Sequence, residues 1–366
     1  MTLIDTRLVP LGRSQSLPND ASVVRLRRGV GLRTGPADQD APPWQTREVI
    51  ARARLFAVAG TLSGSVVFAL YSALAIWGIV GWIDNPDVTF RYPSRYTGTG
   101  LRAVEIGRTA VPAVRARQIR ATALAPHIMR LGDILVDGLE TTALLFAMSR
   151  HPLEAFVAVS AILRKMTGVA DKFVLRRERD LAESARLKLL AALDDAHDLR
   201  GIRTARRILI HADARCESPG EAALLWLVLS ACPVMPETQY EVVAGGRIRF
   251  IDIAFPGLKI ALEFDGVGKT GRDQAAFSKY KRDQMERDNA LINAGWRVYH
   301  FGWGDFHDFA ALRDWLVRQL HWHGAAVPAD RRALYRPVPL ELTSWSRRLG
   351  MPTGATTRRE EDPLSV

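Results

Sequence analysis

Residues 250–265 read Phe-Ile-Asp-Ile-Ala-Phe-Pro-Gly-Leu-Lys-Ile-Ala-Leu-Glu-Phe-Asp. Two alternating apolar runs flank Pro256-Gly257, the pattern of a β-hairpin. A tight turn that sets Phe255 against Leu258 puts Asp252 opposite Ala261, with Glu263 on the diagonal. Side chains alternate across a strand, so Asp252, Glu263 and Asp265 project from one face. Diagonal partners lie roughly 7–8 Å apart at the backbone, and their carboxylates can converge on one ion. Three gathered acids repel each other unless a cation or a proton sits between them. Such a face suits Mg²⁺ or Mn²⁺ and phosphodiester chemistry. A solvated hairpin face gives the same alternation. Phe250, Ala254 and Ala261 argue against it, because they make the acidic face partly apolar and raise the cost of charge there.

The flanking sequence extends the pattern. Gly266 to Gly271 is a glycine-rich turn, and residues 273–294 form a charged helical stretch ending at Ala294-Gly295. Trp296 to Phe301 alternates again as a strand. Strand, helix and strand predict a right-handed crossover and a parallel pair. A last helix is expected from Asp305 to about Leu320, with Phe309, Leu312, Trp315 and Leu316 on one side. Upstream, Ser218-Pro219-Gly220-Glu221 starts another helix with Ser218 as N-cap and Pro219 in the first turn. Glu221 is either a capping-box acid or a fourth carboxylate of the site.

Taken together, residues 213–321 resemble the very-short-patch-repair-like branch of the PD-(D/E)XK endonuclease fold. They resemble more closely an actinobacterial group in which that domain ends a longer chain. The matching pieces are Glu217–Glu221, Ile251–Pro256, Leu262–Gly266, Lys269 and Glu286–Val298. The resemblance implies a mixed sheet flanked by helices, with Asp252 and Glu263 as metal ligands and Glu221 in support. The lysine usual two places after the second acid is Asp265 here, and Lys269 is its expected substitute. Gly268-Lys269-Thr270 also looks like the end of a phosphate-binding loop. That motif needs a glycine at position 263, which is glutamate, so nucleotide hydrolysis is not expected.

At 366 residues the chain has room for two domains. The expected plan is an Arg/Pro-rich arm over 1–46, an α+β domain over 47–212, the α/β nuclease-like domain over 213–322, and a flexible tail over 323–366. Fifty basic against thirty-nine acidic residues give +11 and a pI near 10.1, a balance that favours polyanionic partners. Cys216 and Cys232 form no metal-binding pair, which points to a reducing compartment without a disulfide framework. Residues 1–22 lack the apolar core of a signal peptide, so a cytoplasmic location is expected.

Leu55 to Ile83 carries no charge and is long enough to span a bilayer. Gly60 to Ser65 interrupts it with turn-prone residues, so two buried helices are expected, Thr46–Ala59 and Val67–Ile79. Strands are expected over Val88–Tyr92, Leu101–Ile106 and Val114–Ile119. Arginines alternate through this region, either as a phosphate-tracking surface or as a solvated sheet face. Residues 131–212 read as helices, with Glu178–Leu193 amphipathic. His151, His197 and His211 lack ligand spacing. Val23 to Val30 looks like the wing of a winged helix, as in the AbiEi-type antitoxin-like proteins that the related group resembles. No periodic recognition helix precedes it.

Two functions follow. The first is a metal-dependent nuclease-like protein acting on nucleic acid, most simply DNA. Asp252 and Glu263 hold Mg²⁺, Glu221 or Asp265 completes the shell, and Lys269 positions or activates a water. Arg272, Lys279 and Arg282 meet phosphates. The second is a non-catalytic DNA-binding or antitoxin-like protein on the same scaffold. Neither needs a small-molecule cofactor or a membrane.

Overall fold

The computed structural model describes the chain except residues 1–7, 12–22, 63, 99, 120–125, 169–178, 197–198, 267–273, 321–324 and 344–366. It has two compact units, Met1–Arg150 with Leu187–Ala205, and His151–Arg186 with Arg206–Val366. The expected boundary at 212/213 therefore falls differently. Helix Pro152–Met166 joins the second unit because it packs on helix Pro219–Ala231.

In the first unit, β1 (Leu8–Pro10), β2 (Val23–Arg27) and β3 (Val30–Arg33) form an antiparallel sheet in the order β1-β3-β2. The expected wing is thus a hairpin, turned at Gly29 with φ 84°. Helix α1 (Pro43–Ala59) precedes β4 (Val67–Phe68), helix α2 (Tyr71–Trp77) and β5 (Val88–Arg91). Then come β6 (Val104–Ile106), β7 (Thr109–Val111), β8 (Ala116–Gln118), β9 (Ile128–Leu131), β10 (Ile134–Asp137) and helix α3 (Leu139–Ser149). The larger sheet runs β8-β5-β4-β10-β9, and β6 pairs with β7.

The single helix expected over Val67–Ile79 is corrected. Val67 and Phe68 lie between β5 and β10 as a strand, and the helix begins only at Tyr71. A β-branched and an aromatic residue suit a pleated, buried position better than a helix start. Phe68, Phe90 and Val136 pack with Val58 of α1 and Ile76 of α2. Each such side chain contributes about 1.5–3 kcal/mol by leaving water. Residues 66–74 of the uncharged stretch are therefore buried within this unit, and no helix among the described residues is long and apolar enough to cross a membrane. The arginine-lined sheet face is also qualified. Arg91 meets the buried Asp137 at 3.1 Å, and Arg117 pairs with Asp87. Arg120 lies outside the described residues.

The second unit includes α4 (Pro152–Met166), and it shares α5 (Arg179–Asp194) and α6 (Ile202–His211) with the first. Its central pieces are α7 (Pro219–Ala231), β11 (Glu237–Ala244), β12 (Arg247–Phe255), β13 (Ile260–Asp265), α8 (Gln274–Asn293), β14 (Arg297–Gly302) and α9 (Phe309–Gln319). The sheet order is β11-β12-β13-β14, antiparallel except for the parallel β13–β14 pair joined through α8. Phe264 of β13 stacks on Phe306 and meets Trp303, on the side of α7 and α9. Its neighbour Glu263 points to the other face, under Arg287 of α8. The last helix starts at Phe309 and not at Asp305, because Trp303–His307 makes a tighter 3₁₀ turn first.

Gly220 sets how closely α7 approaches β13. A Cβ built there would stand 2.0 Å from the Phe264 ring. The residues from 324 onward are not all tail. Tyr335 stacks on Trp226, whose Nε1 donates to the Leu334 carbonyl at 3.1 Å. Arg331 is buried and donates to the Val234 carbonyl in the segment that follows α7. An apolar aromatic anchor and a buried arginine hold this segment where composition alone suggested disorder. His151 accepts from Leu153 N at the start of α4 and His211 meets Asp330 at 3.0 Å, so both serve structure; His197 lies outside the described residues.

Candidate active site

The hairpin register differs from expectation, and the difference builds the site. Pro256–Leu258 forms a 3₁₀ turn and Lys259 takes a left-handed conformation with φ 52°. Phe255 therefore pairs with Ile260, Ala254 with Ala261 and Ile253 with Leu262. The next position sets Asp252 across from Glu263, not from Ala261. There the ladder lapses, and the Asp252 carboxylate accepts the Phe264 N–H at 2.9 Å. The ladder lapses on the other side too. Thr238 pairs with Ile253 and Tyr240 with Ile251, but Gln239 between them is unpaired, with φ 47°. A non-glycine residue in that region is strained, and such strain gathers at functional sites.

Glu221 reaches the same place from the first turn of α7. Ser218 Oγ accepts the Glu221 N–H at 3.2 Å, as an N-cap does. The Glu221 carboxylate accepts from Glu217 N at 2.8 Å and from Ser218 Oγ at 3.0 Å. It also shares the Gln239 amide with Asp252. Gln239 Nε2 lies 3.4 Å from Glu221 Oε2 and 3.3 Å from Asp252 Oδ1. Glu221 is therefore tied to the helix start through Ser218 and Glu217, without the Ser218 N–H contact of a capping box, and it reaches Asp252 through Gln239. Burial first, and the Asp252 charge second, push its pKa up to about 8. The same two causes hold Glu263 well above the usual carboxylate range, against the pull of Arg287.

The remaining acids have partners within the unit. Arg287 Nη2 donates to both Glu263 oxygens at 2.8 Å and to the Phe250 carbonyl. Asp265 turns to His300, whose Nδ1 lies 3.0 Å away, while Nε2 of the same ring lies 3.0 Å from Asp288. Gln284 donates to Asp265 at 3.0 Å. Burial alone would depress His300, but hydrogen bonds and charge from Asp265 and Asp288 prevail and push it up to about 10. The ring is an imidazolium at neutral pH. Among the described residues, Glu221, Asp252, Glu263, Asp265 and Asp288 are set against Arg287 and His300. The surplus negative charge is met by protons on raised carboxylates, or by a bound cation.

A divalent ion fits part of this arrangement. The donors are hard oxygens, as Mg²⁺ and Mn²⁺ require. Among the described residues, however, no three His, Cys, Asp or Glu side chains gather closely enough to hold an ion. Both Glu263 oxygens already accept from Arg287, and Asp265 Oδ2 is held by His300 and Gln284. Glu221 and Asp252 come together through Gln239. Of the acids the sequence singles out, Glu221 and Glu263 both feel the charge of Asp252, and Asp265 is tied to His300. The sequence missed Gln239, Arg287 and His300. Gln284, Arg287 and Asp288 follow helical spacing, so one polar edge of α8 was readable in principle. Lys279 and Arg282 are exposed on α8, while Lys269 and Arg272 lie outside the described residues.

No family model matches the chain, and no solved structure matches it. Two proteins of Mycobacterium tuberculosis are similar to part of it: uncharacterised protein MT2308 of strain CDC 1551 / Oshkosh and uncharacterised protein Rv2248 of strain ATCC 25618 / H37Rv. Each is 31% identical over 103 residues, which is 25% of this chain and 38% of the relative. The chain thus spans well under half the length of the curated relatives it matches.

Proposed function

We propose that the second unit is a nuclease-like domain of PD-(D/E)XK type that acts on nucleic acid by metal-dependent phosphodiester hydrolysis. One observation carries the reading. Asp252 sits where the ladder lapses on both sides, beside two buried carboxylates, Glu221 and Glu263, whose pKa values burial first and the Asp252 charge second hold above the usual range. Perturbed acids in such a place are what hydrolytic sites are built from. Asp252 would be the shared ligand of a Mg²⁺ or Mn²⁺ ion, with Glu221 in support and Glu263, paired with Arg287, at the edge of the site. When bound, the ion polarises the scissile phosphate and acidifies a water. Glu221, whose raised pKa favours the protonated form at neutral pH, would have to ionise to hold that ion. His300 and Arg287 hold fixed positive charge beside Glu263. Lys279 and Arg282 meet flanking phosphates, as the net charge of +11 favours. Lys269 as the water-activating group, and Arg272 as a phosphate contact, rest on the sequence alone.

The rival is a non-catalytic DNA-binding protein on the same scaffold. It draws on Asp265 in the usual lysine position, tied to His300, and on Arg287 occupying Glu263. Incubation of supercoiled plasmid and of labelled RNA with the full chain and Mg²⁺ or Mn²⁺ separates them. Hydrolysis is expected from wild type and not from Asp252→Ala. Intact substrates with every divalent ion, together with salt-sensitive duplex binding, would establish the rival.

A further inference from the structure

Gln239 is 2% exposed, and its Oε1 has no hydrogen-bond partner among the described residues. A buried amide oxygen left unpaired is a net cost to folding. Its backbone adds strain, with φ 47° on a non-glycine residue. The nitrogen of this amide lies 3.4 Å from Glu221 and 3.3 Å from Asp252, between two carboxylates that repel each other. An amide is nearly symmetric in shape, so turning it over about its last bond exchanges donor for acceptor at the same place.

We propose that Gln239 is a ligand of the divalent cation, together with Glu221 and Asp252. Without the ion, Nε2 faces the two acids and partly substitutes for the missing charge. With the ion, the amide turns over and Oε1 supplies a neutral carbonyl oxygen, the ligand type that Mg²⁺ and Mn²⁺ accept beside carboxylates. The set of two carboxylates and an amide explains why no cluster of three acids or histidines is needed. It leaves Glu263 with Arg287 at the edge of the site. The inference rests on the metal-dependent reading above, and it goes further by naming a ligand that this reading does not require.

The test is the affinity of the full chain for Mn²⁺ and for the softer Cd²⁺, measured by calorimetry and by loss of the free Mn²⁺ resonance signal. Wild type is compared with Gln239→Met and Asp252→Ala, with folding checked by circular dichroism. Methionine is close in length but offers a soft thioether. Gln239→Met is expected to weaken Mn²⁺ about tenfold or more, since even groups behind a ligand are worth that much. It is expected to weaken Cd²⁺ several-fold less, because a thioether favours softer metals. A purely structural glutamine would weaken both ions equally or neither, and that result overturns the inference while Asp252→Ala still abolishes binding. A wild-type chain that binds no Mn²⁺ overturns the metal reading and this inference together. Should Gln239→Met not fold, Gln239→Glu supplies the same decision. It keeps the oxygen and is expected to bind Mn²⁺ at least as tightly as wild type, and a loss of binding in a folded Gln239→Glu variant overturns the inference.

Discussion

The Arg287–Glu263 pair gives the sharpest stability prediction. Glu263 is 5% exposed and Arg287 32% exposed, so the pair is half screened from one side only. Arg287→Met keeps most of the packing volume but removes both contacts to the carboxylate and the contact to the Phe250 carbonyl. Removing one partner of a buried pair costs about 3–5 kcal/mol. Partial exposure of the guanidinium reduces this, and so does proton uptake by Glu263, whose pKa already lies well above the ordinary value. The expected loss in metal-free buffer is about 2–4 kcal/mol at pH 8. The sign with pH follows from Glu263. Without Arg287 its folded pKa rises further above the unfolded value, so the folded form binds the proton and the penalty grows as pH rises. At pH 5 the loss should fall to about 1 kcal/mol, the value of the hydrogen bond to Phe250. Urea unfolding at the two pH values measures this, and the Glu263→Gln background tests the cause. In that background Arg287→Met should lose its pH dependence and most of its cost. A loss independent of pH, or unchanged by Glu263→Gln, would refute the reasoning.

Further outcomes follow from the same geometry. Glu221 has its pKa raised from 4.5 to about 8, so its ionisation opposes folding as pH rises through that window. Glu221→Gln should therefore stabilise the metal-free chain by about 2 kcal/mol at pH 9, and by little at pH 4, in thermal melts. His300 behaves oppositely. Its stabilising charge is fully present below pH 6.5 and is lost as pH rises through about 10, so His300→Gln should cost most at low and neutral pH and least above pH 10. Gly220→Ala forces a methyl group into the Phe264 ring, and should cost about 1–3 kcal/mol or more while displacing Glu221. A chain ended at residue 328 loses the Tyr335 and Arg331 anchors on α7, and should melt lower than one ended at residue 343.

Much of the second unit is legible in alternation and spacing. Asp252, Glu263 and Asp265 share a face because strands alternate, and Ser218-Pro219-Gly220-Glu221 announces a helix start through its caps. The register is not legible in the same way. It depends on Lys259 adopting φ 52°, a conformation that its residue type does not advertise. A two-residue turn was the simpler reading of Pro256-Gly257, and the four-residue connection moved every cross-strand partner. The partners of the acids were hidden for a different reason. Arg287 and His300 lie far from Glu263 and Asp265 in sequence, and only the packing of α8 and the parallel β13–β14 pair brings them together. Gln239 was hidden because a polar residue within a strand usually faces water. In the first unit, Val67-Phe68 read as helix because its neighbours continue one, while the sheet around it decided otherwise.

The central claim is that Asp252 organises a divalent-cation site for phosphodiester hydrolysis. Its most direct test is Mn²⁺ titration of the folded wild-type, Asp252→Ala and Glu263→Ala chains by calorimetry at pH 7.5. The account predicts saturable binding to wild type with release of about one proton, chiefly from Glu221, and no measurable binding to Asp252→Ala. Unchanged Mn²⁺ affinity in both alanine variants, or no binding to wild type, would contradict it.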